Sequence, residues 1–326
     1  MQKEAAIIIG GGPCGLAAAI ALQEAGIVPL VIEKGNIVNA IYNYPTHQTF
    51  FSSSDKLAIG NIPFITQDRK PKRNQALVYY REVVKLKGIR VNRFETVKKV
   101  NKTQNGFTVE TNLRDYSTPY VVVATGYYDH ANMMGIPGEN LPKVHHYFKE
   151  GHPFFDTEVL VIGGKNSAVD AALELHKAGA HVTVAYRGDI YSPSIKPWVL
   201  PEFEGLVRTN GITMLFNTDV VEIKEKSVTL NTEGQHREIS NDFVFAMTGY
   251  HPDHSFLEGM GVEIDPHTGR PSYHEETMET NVPDLFIAGV IAAGNNANEI
   301  FIENGRFHGE MIATSIIDKI NGLPGQ

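Results

Sequence analysis

A chain of 326 residues is long enough for about two domains, each with its own core, and its 42% hydrophobic and 20% charged residues describe an ordinary globular protein rather than a disordered, collagenous or coiled-coil one. The 29 basic residues against 37 acidic ones leave a net charge of −8, which disfavours bulk attraction to nucleic acid or anionic lipid. One cysteine excludes a disulfide framework, an internal CxxC pair and a cysteine-rich metal site, and no metal is expected.

The chain begins Met-Gln-Lys-Glu and enters Ala5-Ala6-Ile7-Ile8-Ile9 at once, without the basic start, long apolar run and small-residue cleavage site of a signal peptide. Its longest apolar stretches, such as 285–294, are well short of the ~20 residues that a membrane-crossing helix needs. A cytoplasmic protein with no nucleic-acid and no membrane partner is expected.

Residues 5–9 read as a strand, Gly10-Gly11-Gly12-Pro13-Cys14-Gly15 as a GxGxxG turn, and Leu16-Ala17-Ala18-Ala19-Ile20-Ala21-Leu22 as a helix of small and apolar residues. Gly10 allows the tight turn, Gly12 lets a backbone approach a pyrophosphate, and Gly15 lets helix and strand pack closely. The helix N-terminus offers free N–H groups and partial positive charge to phosphate. A second strand, 28–32, ends in Glu33, 23 positions after Gly10, near the spacing of a carboxylate that holds a ribose 2′-OH. Gly10, Gly12, Pro13, Cys14, Gly15, Glu33 and Lys34 are the candidate dinucleotide contacts here. Further along, Phe107-Thr108-Val109-Glu110-Thr111 alternates with period two, as in a β-meander. The strand 120–124 then ends in Thr125-Gly126, two more candidate cofactor neighbours.

A partial copy follows. The strand 158–162 leads into Gly163-Gly164-Lys165-Asn166-Ser167-Ala168, a helix over about 168–177 and a strand from His181 to Arg187. Lys165 stands where the second motif glycine belongs, and can itself meet a phosphate. Twenty-three positions after Gly163 come Tyr186 and then Arg187, so the ribose-binding acid of the first loop is replaced by an aromatic and a cation. A 2′-phosphate needs a cation and is repelled by a carboxylate. The second loop is therefore expected to prefer NADPH to NADH through Gly163, Gly164, Lys165, Asn166, Ser167, Arg187 and Lys196.

Residues 243–247 form a strand that ends in Thr248-Gly249, and 285–289 another that ends at Gly289, followed by a helix from about 298 to the C-terminus. Too little chain remains for a third domain, so this last segment is expected to rejoin the first. The expected fold is α/β: two Rossmann-like dinucleotide-binding domains, the second (128–248) inserted in the first (1–127 and 249–326), with hinges near 118–128 and 248–252.

On these motifs the whole chain resembles the two-dinucleotide flavoproteins related to low-molecular-weight thioredoxin reductase. That resemblance implies FAD in the first domain and NADPH in the second, with the C-terminal strand and helix completing the flavin site and the positive helix end facing reduced flavin. Two departures stand out. The usual Gly-Asp after the C-terminal strand is Gly289-Val290, and the CxxC before the second glycine loop is absent, with His145-His146-Tyr147-Phe148-Lys149 in that region. Gly10 to Gly15, Gly163 to Ala168 and Ala288-Gly289-Val290-Ile291-Ala292-Ala293-Gly294 together look like the bacillithiol disulfide reductase group. Membership implies a small-molecule disulfide substrate, bacillithiol disulfide. A homo-oligomer is expected.

Cys14 is open to two readings: a small buried filler, or a thiol activated at a helix N-terminus that attacks the disulfide and so counts as the catalytic candidate. His145 and His146 suit a surface or hinge better than proton transfer. The run Arg69-Lys70-Pro71-Lys72-Arg73 suits a solvated loop better than a docking site. Tyr42, Tyr44, Pro45, His47 and Phe50 suit flavin flanking and core packing equally. Three other functions stay open: a flavin monooxygenase, suggested by Ile136-Pro137-Gly138 before the second loop; a ferredoxin or flavodoxin reductase without CxxC; and a non-enzymatic NADPH sensor.

Overall fold

The computed structural model describes residues 1–296 and 298–322. The chain divides into two compact units, residues 1–130 with 250–326 and residues 131–249.

The first unit is built on a five-stranded parallel sheet. Its strand order is Leu285–Ile287, Val121–Val123, Ile7–Ile9, Leu30–Glu33, Val91–Arg93. The four strands other than the edge strand Val91–Arg93 are buried along their whole length, which is why, Glu33 apart, they read as unbroken apolar runs rather than as alternation. Beside this sheet lies the antiparallel meander Val97–Thr103, Gly106–Thr111 and Asp115–Thr118, with Gln2–Lys3 paired parallel to its last strand. The helix Pro13–Glu24 buries Gly15, Leu16, Ala17, Ala18, Ala19, Ile20 and Leu22, so residues on both its flanks are covered. Its alanines are small because the helix His308–Ile320 packs against it: a Cβ on Gly309 would stand 2.5 Å from the Ala18 Cα.

The second unit repeats the plan. Its parallel sheet runs Ile212–Leu215, His181–Ala185, Glu158–Ile162, Phe243–Ala246, Val144–His145. An antiparallel meander of Thr218–Ile223, Ser227–Thr232 and Gln235–Ser240 accompanies it. The helix Asn166–Lys177 buries an apolar stripe of Ala168, Val169, Ala171, Ala172, Leu173 and Leu175.

Two expectations need correction. The helix expected over 168–177 begins at Asn166, within the glycine loop itself. The helix expected from about 298 onward is broken into Ile302–Gly305 and His308–Ile320. The break has a packing cause. Gly305 lies so close to Cys14 that a Cβ there would be 3.0 Å from the Sγ, and Arg306 turns back to donate to the carbonyls of Asp55 and Ala58. Residues 323–326, the end of that expected helix, lie outside the described residues, as does Ala297 just before it. Among the described residues no helix is long and apolar enough to cross a membrane, and no group of His, Cys, Asp and Glu is arranged to hold a metal ion.

Candidate functional site: two glycine loops

In each unit the candidate residues gather at the carboxyl ends of the parallel strands, where open α/β sheets place ligands. In the first unit, Gly10 follows Ile7–Ile9, Thr125 and Gly126 follow Val121–Val123, Gly289 follows Leu285–Ile287, and Glu33 closes Leu30–Glu33. Gly10 has φ +110, and a Cβ there would lie 2.4 Å from the Ala124 carbonyl oxygen, beside Thr125. Gly15 is equally confined, since its Cβ would stand 2.1 Å from the Gly10 oxygen. Gly12 is different. Its backbone is ordinarily extended, at φ −74 and ψ 174, and a Cβ on it would meet nothing within 4 Å. The protein's own packing thus leaves open space at the motif position through which a phosphate approaches. Pro13 opens the helix, no side chain caps it, and no acid sits in its first turn.

Glu33 is buried, and its two carboxylate oxygens accept the N–H groups of Gly11 and Gly35, each at 2.7 Å. Burial, the largest influence, raises its pKa, while the two N–H donors pull it down. Each oxygen keeps a second lone-pair direction for a ribose hydroxyl. Lys34 is tied instead to Asp129 at 2.9 Å and is half exposed.

The second unit places Gly163 after Glu158–Ile162, with φ +131 and a would-be Cβ 2.6 Å from the Met247 oxygen. Gly164 lies against the Tyr186 ring, which a Cβ would meet at 2.4 Å. Lys165 occupies the position of Gly12 in extended backbone, φ −109 and ψ −172, which any residue adopts. The missing glycine therefore costs no strain, and the Lys165 side chain is exposed. Ser167 and Arg187 are exposed as well, and the helix start again has no side-chain cap and no acid in its first turn. Asn166 turns its amide onto residues 194–196, donating to the Ser194 carbonyl at 2.8 Å and accepting from the Lys196 N–H at 2.9 Å. Both loops fit a diphosphate: one by room at Gly12, the other by uncapped N–H groups and exposed Lys165 and Arg187.

Of the two readings of Cys14, its surroundings favour the buried filler. Its Sγ is wedged beside Gly289 and Gly305, where Cβ atoms would stand at 3.1 and 3.0 Å. Burial first, and then the Glu303 carboxylate, push the thiol up to about 12. A thiol raised in this way is disfavoured as the thiolate that attacks a disulfide. His308, at the start of the last helix, accepts the Gly289 N–H on Nδ1 at 3.2 Å, and burial lowers its pKa.

The sequence patterns Pyridine nucleotide-disulphide oxidoreductase match residues 7–289 of the chain. The chain belongs to that family. It is 69% identical over 323 residues to the bacilliredoxin reductase Bdr of Bacillus subtilis (strain 168), covering 98% of this chain and 100% of the relative. A solved bacillithiol disulfide reductase Bdr from Bacillus cereus superposes with a TM-score of 0.97 at 68% identity, covering 98% of this chain and 100% of that one. The Staphylococcus aureus Bdr structure gives 0.96 at 58% identity, with 98% and 99% covered. The oxidoreductase belongs to this Bdr group, as its motifs indicated.

Other residues of the family member fall differently from the sequence reading. His145 is half-buried: its ring stacks on Phe245 at 5.2 Å and meets Phe154 edge-on at 5.8 Å, and burial lowers its pKa. His146 lies 3.9 Å from the buried Glu139 carboxylate. Arg73 leaves the solvated basic run, because it is buried and donates to the Tyr42 carbonyl and, at 2.8 Å, to Asn74. Tyr44 joins a line of rings, with Phe50 at 6.2 Å and Tyr128 at 5.1 Å, and Tyr128 meets Tyr250 at 4.7 Å. Tyr127, Tyr128 and Tyr250 were missed, although each Thr-Gly that ends a sheet strand is followed by tyrosine. Asp170 was missed too. It is mostly buried one turn into the second loop's helix, and burial, then Glu174, raise it to about 6 against the pull of Lys177.

Proposed function

We propose that this oxidoreductase uses NADPH to reduce a low-molecular-weight disulfide, bacillithiol disulfide, with FAD held by residues 1–127 and 249–326 and NADPH by 128–248. When bound, the nicotinamide supplies hydride and the flavin relays its two electrons to the disulfide. The observation that carries the assignment is the opposite chemistry at matching positions: Glu33 after the first loop, with Gly12 leaving room, against Arg187 after the second, with Lys165 in the room. Glu33, fixed by Gly11 and Gly35, holds a ribose hydroxyl. Arg187 and Lys196 hold the 2′-phosphate, and Gly163, Gly164, Lys165 and Ser167 hold the pyrophosphate. Thr125, Gly126 and Gly289 line the flavin site, and Tyr44, Tyr128 and Tyr250 exclude water beside it. A cytoplasmic homo-oligomer is part of this reading.

Cys14 enters as a neutral thiol in the flavin loop, and a mixed disulfide at Cys14 requires its proton to leave first. Anaerobic NADPH consumption by the purified protein is the test, with bacillithiol disulfide, other small disulfides, oxidised bacilliredoxin and ferredoxin as acceptors. Bacillithiol disulfide should sustain turnover. Turnover with ferredoxin alone overturns the reading. A preference for bacilliredoxin moves the substrate to the protein named for the Bacillus subtilis relative. Cys14→Ser and Cys14→Ala variants that keep FAD should turn over more slowly if the thiol reacts, and unchanged rates in both remove it from the mechanism.

A further inference from the structure

Asn166 stands between the second glycine loop and a distant stretch of chain, and this geometry is specific. It is the first residue of the helix Asn166–Lys177, directly after the exposed Lys165. Its side chain does not point along the helix to cap it. The Nδ2 group donates to the Ser194 carbonyl at 2.8 Å and the Oδ1 accepts the Lys196 N–H at 2.9 Å, so one amide grips the backbone on both sides of Ile195. The gripped stretch is otherwise held from below. Ile195 is buried in the core of the second unit, and its N–H reaches the Ser192 carbonyl at 3.1 Å. The Ser192 and Ser194 hydroxyls are 2.8 Å apart. The Lys196 carbonyl then accepts Val199 N–H at 2.9 Å and Leu200 N–H at 3.2 Å at the entry to the helix Leu200–Arg208.

We infer that Asn166 is a positioning residue for cofactor choice: it fixes the Lys196 backbone against the glycine loop, so that the lysine serves the 2′-phosphate and the enzyme prefers phosphorylated nucleotide. The inference rests on the NADPH reading of the second unit. Asn166 is thereby moved from the ligands of the cofactor to the support of one of them. A lysine side chain carries a large rotamer entropy. Anchoring its backbone removes the main-chain part of the ordering cost, so that only these rotamers are left to be fixed by a ligand. A nucleotide with a free 2′-hydroxyl has no charge for Lys196 to meet, so it gains nothing from the clamp. The effect of breaking the clamp is therefore confined to the 2′-phosphate.

Calorimetric binding of 2′-phospho-ADP-ribose and of ADP-ribose to the flavin-loaded full-length protein tests this, because the two probes differ only in that phosphate. Asn166→Leu should weaken 2′-phospho-ADP-ribose about tenfold and leave ADP-ribose within about twofold. Asn166→Ala removes both bonds without adding charge or bulk; it should weaken 2′-phospho-ADP-ribose in the same selective way, and it decides the matter if the leucine variant does not fold. In a double-mutant cycle, Asn166→Leu with Lys196→Ala should lose no more than Lys196→Ala alone, because the clamp acts through that lysine. Equal weakening of both probes, or additive losses in the cycle, overturns the inference and leaves the NADPH reading intact. A wild-type protein that binds both probes alike overturns both.

Discussion

The two glycine loops of this chain solve one geometric problem with opposite chemistry. Each follows a buried strand, turns through a glycine at high positive φ against a neighbouring carbonyl (Gly10 on Ala124, Gly163 on Met247), and opens a helix that no side chain caps. Those shared features come from the parallel sheet and are indifferent to which nucleotide arrives. The differences sit at two positions. Where the first loop has Gly12 and open space, the second has an exposed lysine. Where the first has a buried carboxylate held by two N–H groups, the second has Tyr186 against the loop and the exposed Arg187. Scaffold glycines and ligand-facing positions can therefore be told apart by what a Cβ would strike.

The sharpest way to break this comparison is a pair of substitutions in the first loop. Gly15→Ala drives a methyl into the Gly10 carbonyl, where the Cβ distance is 2.1 Å, and should prevent folding or leave an unstable protein. A Cβ on Gly12 would meet nothing within 4 Å, so Gly12→Leu should give a folded, colourless protein, read by circular dichroism and flavin absorbance. A Gly12→Leu variant that retains its flavin would show that the open space belongs to something else. The next effect is at the second loop. Arg187→Glu should cost about 100-fold in affinity for 2′-phospho-ADP-ribose while sparing ADP-ribose. Loss of both alike would reduce Arg187 to a general surface charge.

Much of this was legible from the amino-acid order because it depends on local rules. The strand-glycine-helix units follow from unbroken apolar strands and turn glycines, the meander from period-two alternation, and the return of 285–287 to the first sheet from the little chain left for a third domain. Glu33 and Arg187 could be found by counting from the first glycine of each loop. What resisted reading depends on contacts between distant segments. Cys14 stayed open between a buried filler and an activated thiol, and only the approach of Gly289, Gly305 and Glu303 weighs for the first. Arg73 looked solvated within a basic run until the Tyr42 carbonyl claimed it. The break in the last helix at Arg306 and the burial of His145 among three phenylalanines are likewise tertiary facts.

A smaller effect tests the electrostatics of the second helix. Asp170 has its pKa raised by burial from the ordinary 3.8 to about 6, so the folded state binds the proton more tightly than the unfolded chain. The favourable contribution is complete below pH 3.8 and is lost as pH rises through about 6. In nucleotide-free protein, Asp170→Asn should gain about 3 kcal/mol over wild type above neutral pH, and the gain should vanish in acid, measured by urea unfolding across pH. A gain that does not change with pH would show that the burial of Asp170 carries no charge penalty.

The central claim, that the later loop receives a 2′-phosphorylated nucleotide whose electrons reach a flavin in the earlier one, is tested most directly by anaerobic reduction of the bound flavin with NADPH and with NADH, in wild type and in Arg187→Glu. The account predicts a yellow protein bleached by NADPH at far lower concentration than by NADH, with that preference abolished in the variant. A protein that binds no flavin, or whose flavin answers both nucleotides equally before the substitution, would contradict it.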